Sequence, residues 1–161
     1  MILLGIDPGT ATTGYGVIDT TNPRKLLSLE YGQIKTLKEQ LMSERLYKMY
    51  NSAVALVEKY SPSAMVIERL FFNTNAHSAM SVGQARGVYI LVAGQYGLPV
   101  FEYTALEAKM ALTGYGRSDK KEVRSMVTEL LSIKTQIKPI DASDALAMAL
   151  CHVIKSGFIG K

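Results

Sequence analysis

The sequence has little cysteine and no long apolar run, and each shortage excludes a class of protein. The single cysteine, Cys151, cannot form an internal disulfide, so a reducing compartment is the simpler setting. The uncharged stretch from Gly87 to Phe101 is interrupted by glycine, glutamine and proline, and it is shorter than the ~18 apolar residues of a membrane span. No secretory signal precedes Gly5. These absences predict a soluble, cytoplasmic protein with no membrane partner.

Several catalytic motifs are also missing. The chain has no Walker A loop, no G-x-G-x-x-G fingerprint and no zinc-ligand spacing. It offers no Ser-His-Asp or Cys-His arrangement for a nucleophile, and we interpret Cys151 as a buried small apolar residue. His77 and His152 are interpreted as surface or packing residues. Acidic residues are therefore the main source of chemistry that the sequence offers.

The basic residues are unevenly placed along the chain. With 161 residues, 48% of them apolar, we expect one compact domain, residues 1–161. The window 109–138 contains seven basic and three acidic residues, whereas the remainder is balanced, so this window carries the whole net charge of +4. A solvated helix face and a phosphate-binding surface both explain such a cluster. On the second interpretation, Lys120, Lys121 and Arg124 contact DNA.

Hydrophobic periodicity predicts an α/β fold. Three strands joined by short turns predict an antiparallel meander, and the strand–helix alternation that follows predicts a five-stranded mixed sheet with helices on both faces. The predicted strands are Ile2–Asp7, Tyr15–Asp19, Leu27–Ile34, Ala64–Glu68 and Pro99–Tyr103, and the predicted helices are Leu41–Tyr60, Ser78–Gln95, Leu106–Leu112, Lys120–Leu131 and Ala142–Lys155.

Two acidic residues, Asp7 and Glu68, end predicted strands. Each alone is an ordinary turn or strand-end residue. The crossover helix between the two strands predicts a parallel pair, and both acids then reach the carboxyl edge of the sheet, where α/β folds bind their ligands. Adjacent carboxylates repel each other unless a cation lies between them.

Asp141 and Asp144 form a second acidic pair with helical spacing. A separation of three residues puts both on one helix face. They also fit a helix start, with Asp141 as N-cap and Asp144 at the third helical position. Metal ligation does not exclude that role. Four carboxylates suit Mg²⁺ or Mn²⁺, and two such ions ~4 Å apart support phosphodiester hydrolysis.

Six strings in this sequence resemble a known family. They are GIDPGT (5–10), GYG (14–16), VIERLFF (66–72), GQARG (83–87), PVFEY (99–103) and DASDALAMALCH (141–152). Together they resemble the RuvC-type Holliday junction resolvases from about the first residue to His152. The resemblance implies a ribonuclease H-like fold and a homodimer that resolves four-way DNA junctions by paired nicks with Mg²⁺ or Mn²⁺. A branch-migration helicase is the partner that it implies.

The resemblance also assigns roles to individual residues. It maps the four acidic catalytic and metal-binding positions onto Asp7, Glu68, Asp141 and Asp144. It implies that Phe71 opens the junction or stacks on its bases, and that Lys109 and Lys120 lie near the scissile phosphates. For dimerisation, Gly83 and Gly87 lie one helical turn apart and permit close approach of another backbone, although packing on the protein's own sheet explains them equally well.

Three other functions compete with this one. The Gly-Ile-Asp-Pro-Gly-Thr turn also resembles the phosphate-binding loop of actin- and sugar-kinase-like ATPases, but 161 residues leave little room for their second lobe. A non-catalytic DNA-binding module would have no use for four acids, which only weaken DNA binding unless a metal neutralises them. Cleavage of RNA in RNA–DNA hybrids stays open, because carboxylates act on phosphates and not on sugars.

Overall fold

Five strands and five helices make up the described part of the chain. The computed structural model describes residues 1–70 and 76–157, with only the backbone of Ala76 and His77. The strands are β1 (Ile2–Asp7), β2 (Thr12–Asp19), β3 (Leu27–Lys35), β4 (Ala64–Glu68) and β5 (Val100–Tyr103), and the helices are α1 (Met42–Tyr60), α2 (Ala76–Gln95), α3 (Ala105–Thr113), α4 (Lys120–Leu130) and α5 (Ile140–Lys155).

The strands form one mixed sheet in the order β3-β2-β1-β4-β5. The first three strands are an antiparallel meander, and β1 pairs in parallel with β4, which pairs in parallel with β5. The predicted sheet is therefore confirmed. Only β2 differs clearly: it begins at Thr12 and not at Tyr15, because Thr12 already pairs with Lys35 and Gly14 pairs with Asp7.

Helices cover both faces of the sheet, as the alternation of strands and helices predicts. On one face α1 and α2 pack against Leu4 and Ile6 of β1, and Tyr89 of α2 is fully buried there. On the other face α4 and α5 pack against Leu3 and Ile18. Alternate residues of β1 thus enter two separate cores. Residues of β1 with odd numbers face α5.

The outer face of α2 is unusually apolar and open. It comprises Met80, Gly83, Gly87, Leu91 and Gly94, spaced three or four residues apart. The side chains of Met80 and Leu91 are 71% and 63% exposed, and a Cβ atom built on any of the three glycines would meet no heavy atom within 4 Å. Packing on the protein's own sheet therefore does not explain Gly83 and Gly87.

Two side chains of α5, those of Cys151 and His152, are buried. Cys151 is fully buried in α5, as predicted for a small apolar residue. His152 is also buried and its ring stacks on Phe101, with 4.0 Å between ring centroids, so it is a packing residue. Within residues 1–70 and 76–157, no helix combines the length and the apolar content that a bilayer span requires.

Candidate active site

Asp7 and Glu68 lie side by side where two parallel strands end. The pairing of β1 with β4 sets Ile6 opposite Ile67, so each acid directly follows a paired residue. Ile6 and Ile67 pack under α1 and α2. Because successive side chains point to opposite faces of a strand, both carboxylates lie on the α5 face. The predicted parallel crossover and the meeting of these two acids at one sheet edge are confirmed.

Helix α5 comes close to this edge because the strands beneath it carry glycine. Gly5, Gly14 and Gly16 all lie on the face of the sheet that α5 crosses. A methyl group on Gly14 would overlap the backbone of Asp141, and a methyl group on Gly5 or Gly16 would overlap the next turn of the helix. The missing side chains thus let the first turns of α5, which carry Asp141 and Asp144, approach the strands directly.

The start of α5 differs from the prediction that Asp141 is its N-cap. The N-cap is Pro139, which has extended backbone angles, and Asp141 is the second residue of the helix. Proline suits a helix start because its φ is fixed, and no residue after it interrupts the helix. Asp144 consequently lies in the second turn. No side chain caps this helix, so the carboxylate of Asp141 is not used as a cap.

The four acids surround one cavity of about 200 Å³. Two strand ends and the first turns of α5 supply the acids, and α3 and α4 supply one lysine each. Apolar side chains complete the walls and limit the access of water to the charged groups. The lining residues are Asp7, Glu68, Asp141, Asp144, Lys109, Lys120, Ala105, Ala108, Val123, Ala147 and Met148.

Burial and negative charge act together on Asp7. Burial, a hydrogen bond with Glu68 and the charges of Glu68, Asp144 and Asp141 together raise the pKa of Asp7 to about 9, and burial contributes most. Without a cation, this carboxyl therefore keeps its proton at neutral pH. In such a site the ionised carboxylate is disfavoured, and a bound cation would stabilise it.

Lys120 brings a positive charge to the cavity. Its Nζ atom lies 3.2 Å from Oδ2 of Asp144, and this neighbouring carboxylate raises the pKa of Lys120. A capping box between Asp119 and Glu122 fixes the first turn of α4 and so the place of Lys120. Lys109 reaches the same cavity from α3. The two lysines and the four acids predicted from sequence are thus brought together.

The other predicted DNA-binding residues lie elsewhere. Lys121 and Arg124 are on α4 but do not line the acidic cavity. Both line a shallow groove along the outer side of α4, and Lys121 also lines a groove beside the α3–α4 loop. Phe71 lies outside the described residues.

Two contacts at the site were not foreseen from the sequence. The hydroxyl of Thr13 donates to the carbonyl oxygen of Gly9 at 2.9 Å and accepts from the Gly9 amide at 3.3 Å, which holds the turn after Asp7. Tyr103 pairs with Glu68 across the sheet, and its hydroxyl lies 3.0 Å from Nδ1 of His152. A threonine four residues after a glycine is too common a pattern to indicate such a role.

The donor set fits a hard divalent cation. Carboxylate oxygens are the ligands that Mg²⁺ and Mn²⁺ prefer, and the cavity is lined by four acids and only two lysines. Among residues 1–70 and 76–157, no three His, Cys, Asp or Glu side chains already converge as a metal cage. A cation held by Asp144 would compete with Lys120 for the same carboxylate.

Fold and site together define a metal-dependent nuclease of the ribonuclease H-like class. A family model described as crossover junction endodeoxyribonuclease RuvC matches residues 3–152. The chain belongs to this family, and family membership implies dependence on a divalent metal.

Individual relatives support the same assignment along the whole chain. A crossover junction endodeoxyribonuclease RuvC of Caldicellulosiruptor saccharolyticus is 42% identical over 159 residues, which cover 99% of this chain and 96% of the relative. The RuvC structure of Thermus thermophilus superposes with a TM-score of 0.90 at 32% identity, covering 97% and 95% of the two chains. The Thermus thermophilus protein in complex with Holliday junction substrate gives a TM-score of 0.88 at 30% identity, covering 97% and 94%.

Proposed function

We propose that this chain resolves four-way DNA junctions by paired symmetric nicks, one in each of two strands of like polarity. The observation that carries the proposal is the single cavity in which four carboxylates and two lysines meet. Carboxylates alone would repel a phosphodiester, whereas carboxylates that hold cations, with lysines beside them, attract it. Residues 1–161 act as one nuclease domain in this proposal.

Asp7, Glu68, Asp141 and Asp144 hold the metal and are the catalytic residues. We assign two Mg²⁺ ions to the site, with Mn²⁺ able to substitute. Bound there, the ions would activate a water molecule and stabilise the leaving oxygen of an in-line displacement. Glu68 is best placed to share a cation with Asp7, because the two acids end neighbouring strands.

The chain's own cations orient the substrate. Lys120 is held at the cavity by Asp144 and would be available to a phosphate oxygen if that carboxylate bound a metal. Lys109 approaches from α3 and contacts the same phosphate. Lys121 and Arg124 bind phosphates further along the strand, which adds affinity without sequence selectivity. We assign Phe71, outside the described residues, to stacking on an unpaired base at the opened crossover.

Two copies of the chain act together. A junction has approximate two-fold symmetry, so an isologous homodimer presents two identical sites to its two strands of like polarity. The outer face of α2 supports this proposal, since its glycines are open and its two large apolar side chains are exposed. We place the reaction in the cytoplasm and propose a branch-migration helicase as the further partner.

Cleavage of matched substrates tests the proposed function. A labelled four-way junction, the linear duplex of the same sequence and an RNA–DNA hybrid are incubated with Mg²⁺, with EDTA as the blank. We expect symmetric nicks in the junction and little cutting of the other two. Equal cutting of linear duplex, or preference for the hybrid, would contradict the proposal. Hydrolysis of ATP without DNA would favour the kinase-like alternative.

A further inference from the structure

Tyr115 is an exposed aromatic residue in the loop between α3 and α4. It lies between two glycines, Gly114 and Gly116, and its side chain is 57% exposed. Gly114 adopts a left-handed conformation with φ of 74°, which ends α3 and turns the chain outward. An exposed aromatic ring on a loop offers an apolar face and a hydroxyl group to a binding partner.

The backbone beneath this ring is firmly held. The hydroxyl of Thr113 accepts from the Tyr115 amide at 3.2 Å, and its one proton is shared between the carbonyl oxygens of Lys109 at 2.8 Å and Tyr115 at 3.0 Å. The Ser118 hydroxyl donates to Thr113 Oγ1 at 2.8 Å, and the Ser118 amide donates to the Tyr115 carbonyl oxygen at 3.2 Å. The ring therefore stands on an anchored loop, and little conformational entropy is lost when it meets a ligand.

The surroundings of Tyr115 are apolar and open on one side. Leu106 and Met110 of α3 are 58% and 49% exposed, and both reach over Gly116. On the other side Tyr115 lines a groove of about 720 Å³ beside the first turns of α4. Lys121 lines this groove and the preceding Lys120 lines the catalytic cavity, so the two lie on either side of the first turn of α4.

The charge around the patch indicates what covers it. Arg117 and Lys121 are exposed near Tyr115, and the two acids that line the groove, Asp119 and Glu122, form the capping box at the start of α4. An apolar protein surface would gain little from the two cations, whereas a DNA strand offers both phosphates for the cations and base faces for the ring. The combination of a fixed aromatic ring and basic side chains is typical of single-stranded nucleic-acid binding.

We propose that Tyr115 stacks on a nucleobase of the DNA strand close to the bond that is cut. Lys121 then binds the phosphate of that nucleotide in the adjoining groove. A base that is stacked on Tyr115 cannot pair normally, so the interaction favours strands that are already distorted at the branch point. This inference rests on the proposed function and adds a base-contacting residue to it.

The absence of tryptophan from the chain provides a direct test. Tyr115→Trp introduces a single tryptophan, whose fluorescence is quenched when a base stacks on it. Tyr47→Trp is the matched control, because Tyr47 is 66% exposed on α1, which packs on the opposite face of the sheet. Both variants are titrated with four-way junction in EDTA. We expect quenching at position 115 that saturates with the anisotropy binding curve, and little quenching at position 47.

A second pair of variants tests the contribution of the ring to affinity. Tyr115→Phe keeps the ring and should bind junction more tightly than Tyr115→Ala does. Tyr115→Ala should bind junction at least about fivefold more weakly and should cut with altered preference for the bases next to the nick. Melting temperatures of all variants should agree, because the ring is exposed.

Failure of this inference is distinguishable from failure of the proposed function. If the unmodified protein neither binds nor cuts junctions, the proposed function is wrong and the inference falls with it. If it cuts junctions but the position-115 reporter is not quenched, or is quenched no more than the position-47 reporter, Tyr115 is not a stacking residue. Unchanged affinity and cutting pattern in Tyr115→Ala would lead to the same conclusion.

Discussion

Lys120 Nζ lies 3.2 Å from Oδ2 of Asp144, so a cation of the protein itself partly neutralises the acidic cavity. The lysine belongs to the basic window of the chain, and the aspartate belongs to the proposed metal site. A divalent cation that recruits Asp144 competes with Lys120 for the same carboxylate oxygens. If Asp144 held a metal as proposed, the contact would couple metal binding to the release of a lysine beside the substrate phosphate.

Replacement of Lys120 should slow the chemical step. Lys120→Ala removes a positive charge next to the reacting phosphate, and we expect single-turnover nicking to fall about 10- to 100-fold with saturating protein. Lys120→Arg, which keeps the charge, should recover part of the rate. Lys134→Ala, an exposed lysine after α4, serves as control. Wild-type rates for Lys120→Ala would exclude a role at the phosphate.

Asp7→Asn should separate binding from cutting. The amide keeps the shape of the side chain but weakens the hold on a divalent cation, so nicking should fall by more than about 100-fold. Junction binding should be unchanged or tighter, because one negative charge no longer repels the phosphates. Gel-shift titration and single-turnover cleavage with Mg²⁺ measure the two effects. Near-normal cutting by this variant would contradict the proposed metal site.

The same substitution should stabilise the metal-free protein in a pH-dependent way. The pKa of Asp7 rises from its ordinary value near 3.8 to about 9 in the fold. The penalty for ionising Asp7 in the folded state is therefore absent below pH 3.8, grows as the pH rises, and is complete above pH 9. At pH 7 to 8 in EDTA, Asp7→Asn should gain on the order of a few kcal/mol. That gain should raise the melting temperature by at least several degrees.

Asp19→Asn is a control for which the expected change in stability has the opposite sign. The hydrogen bond from the Thr21 hydroxyl lowers the pKa of Asp19, so its contribution is present at neutral pH and is lost as the pH falls through the lowered pKa. Asp19→Asn should therefore melt slightly lower than wild type at pH 7 and equal to it in strong acid. A melting difference for Asp7→Asn that is negative, or is the same at pH 4 and pH 8, would contradict the assigned pKa.

The outer side of α4 should determine the salt dependence of binding. Each phosphate contact contributes about 0.9 to the slope of log affinity against log salt concentration on duplex DNA. The double variant Lys121→Ala, Arg124→Gln should therefore reduce the slope by about 2, whereas Lys38→Ala, an exposed lysine before α1, should leave it unchanged. Fluorescence anisotropy from 50 to 300 mM salt measures the slope. An unchanged slope would mean that the basic side chains of α4 contact solvent and not DNA.

Dimerisation through α2 should be sensitive to bulk at Gly87. A side chain there meets open space in the monomer and replaces a poor helix former, so Gly87→Leu should not destabilise the fold. In a dimer with close backbone contact, the same side chain would separate the helices. Light scattering should therefore show a monomer for Gly87→Leu and a dimer for both wild type and Asn51→Leu, an exposed position on α1. A dimeric Gly87→Leu would place the interface elsewhere.

The arrangement of the strands and the proximity of Asp7 to Glu68 could be predicted from the sequence. Strand ends at Asp7 and Glu68, joined by a crossover helix, leave only one arrangement in a parallel pair. The start of α5 was not predictable in the same way, because Asp141 to Asp144 is itself a good local capping pattern. The first turn of the helix also packs on Gly14, which is more than 120 residues away along the chain. Local patterns carry no information on such distant contacts.

The three glycines under α5 have a consequence for anyone who would transfer this chemistry to another protein. The approach of α5 to the strands depends on these glycines, because a side chain at Gly5 or Gly14 would overlap the helix backbone and one at Gly16 would overlap Leu146. A designer who grafts four carboxylates onto another α/β sheet would copy every donor and still obtain a site too wide for a shared cation. The set of residues to transfer therefore has seven members: the four acids and three glycines, whose contribution is the absence of a side chain.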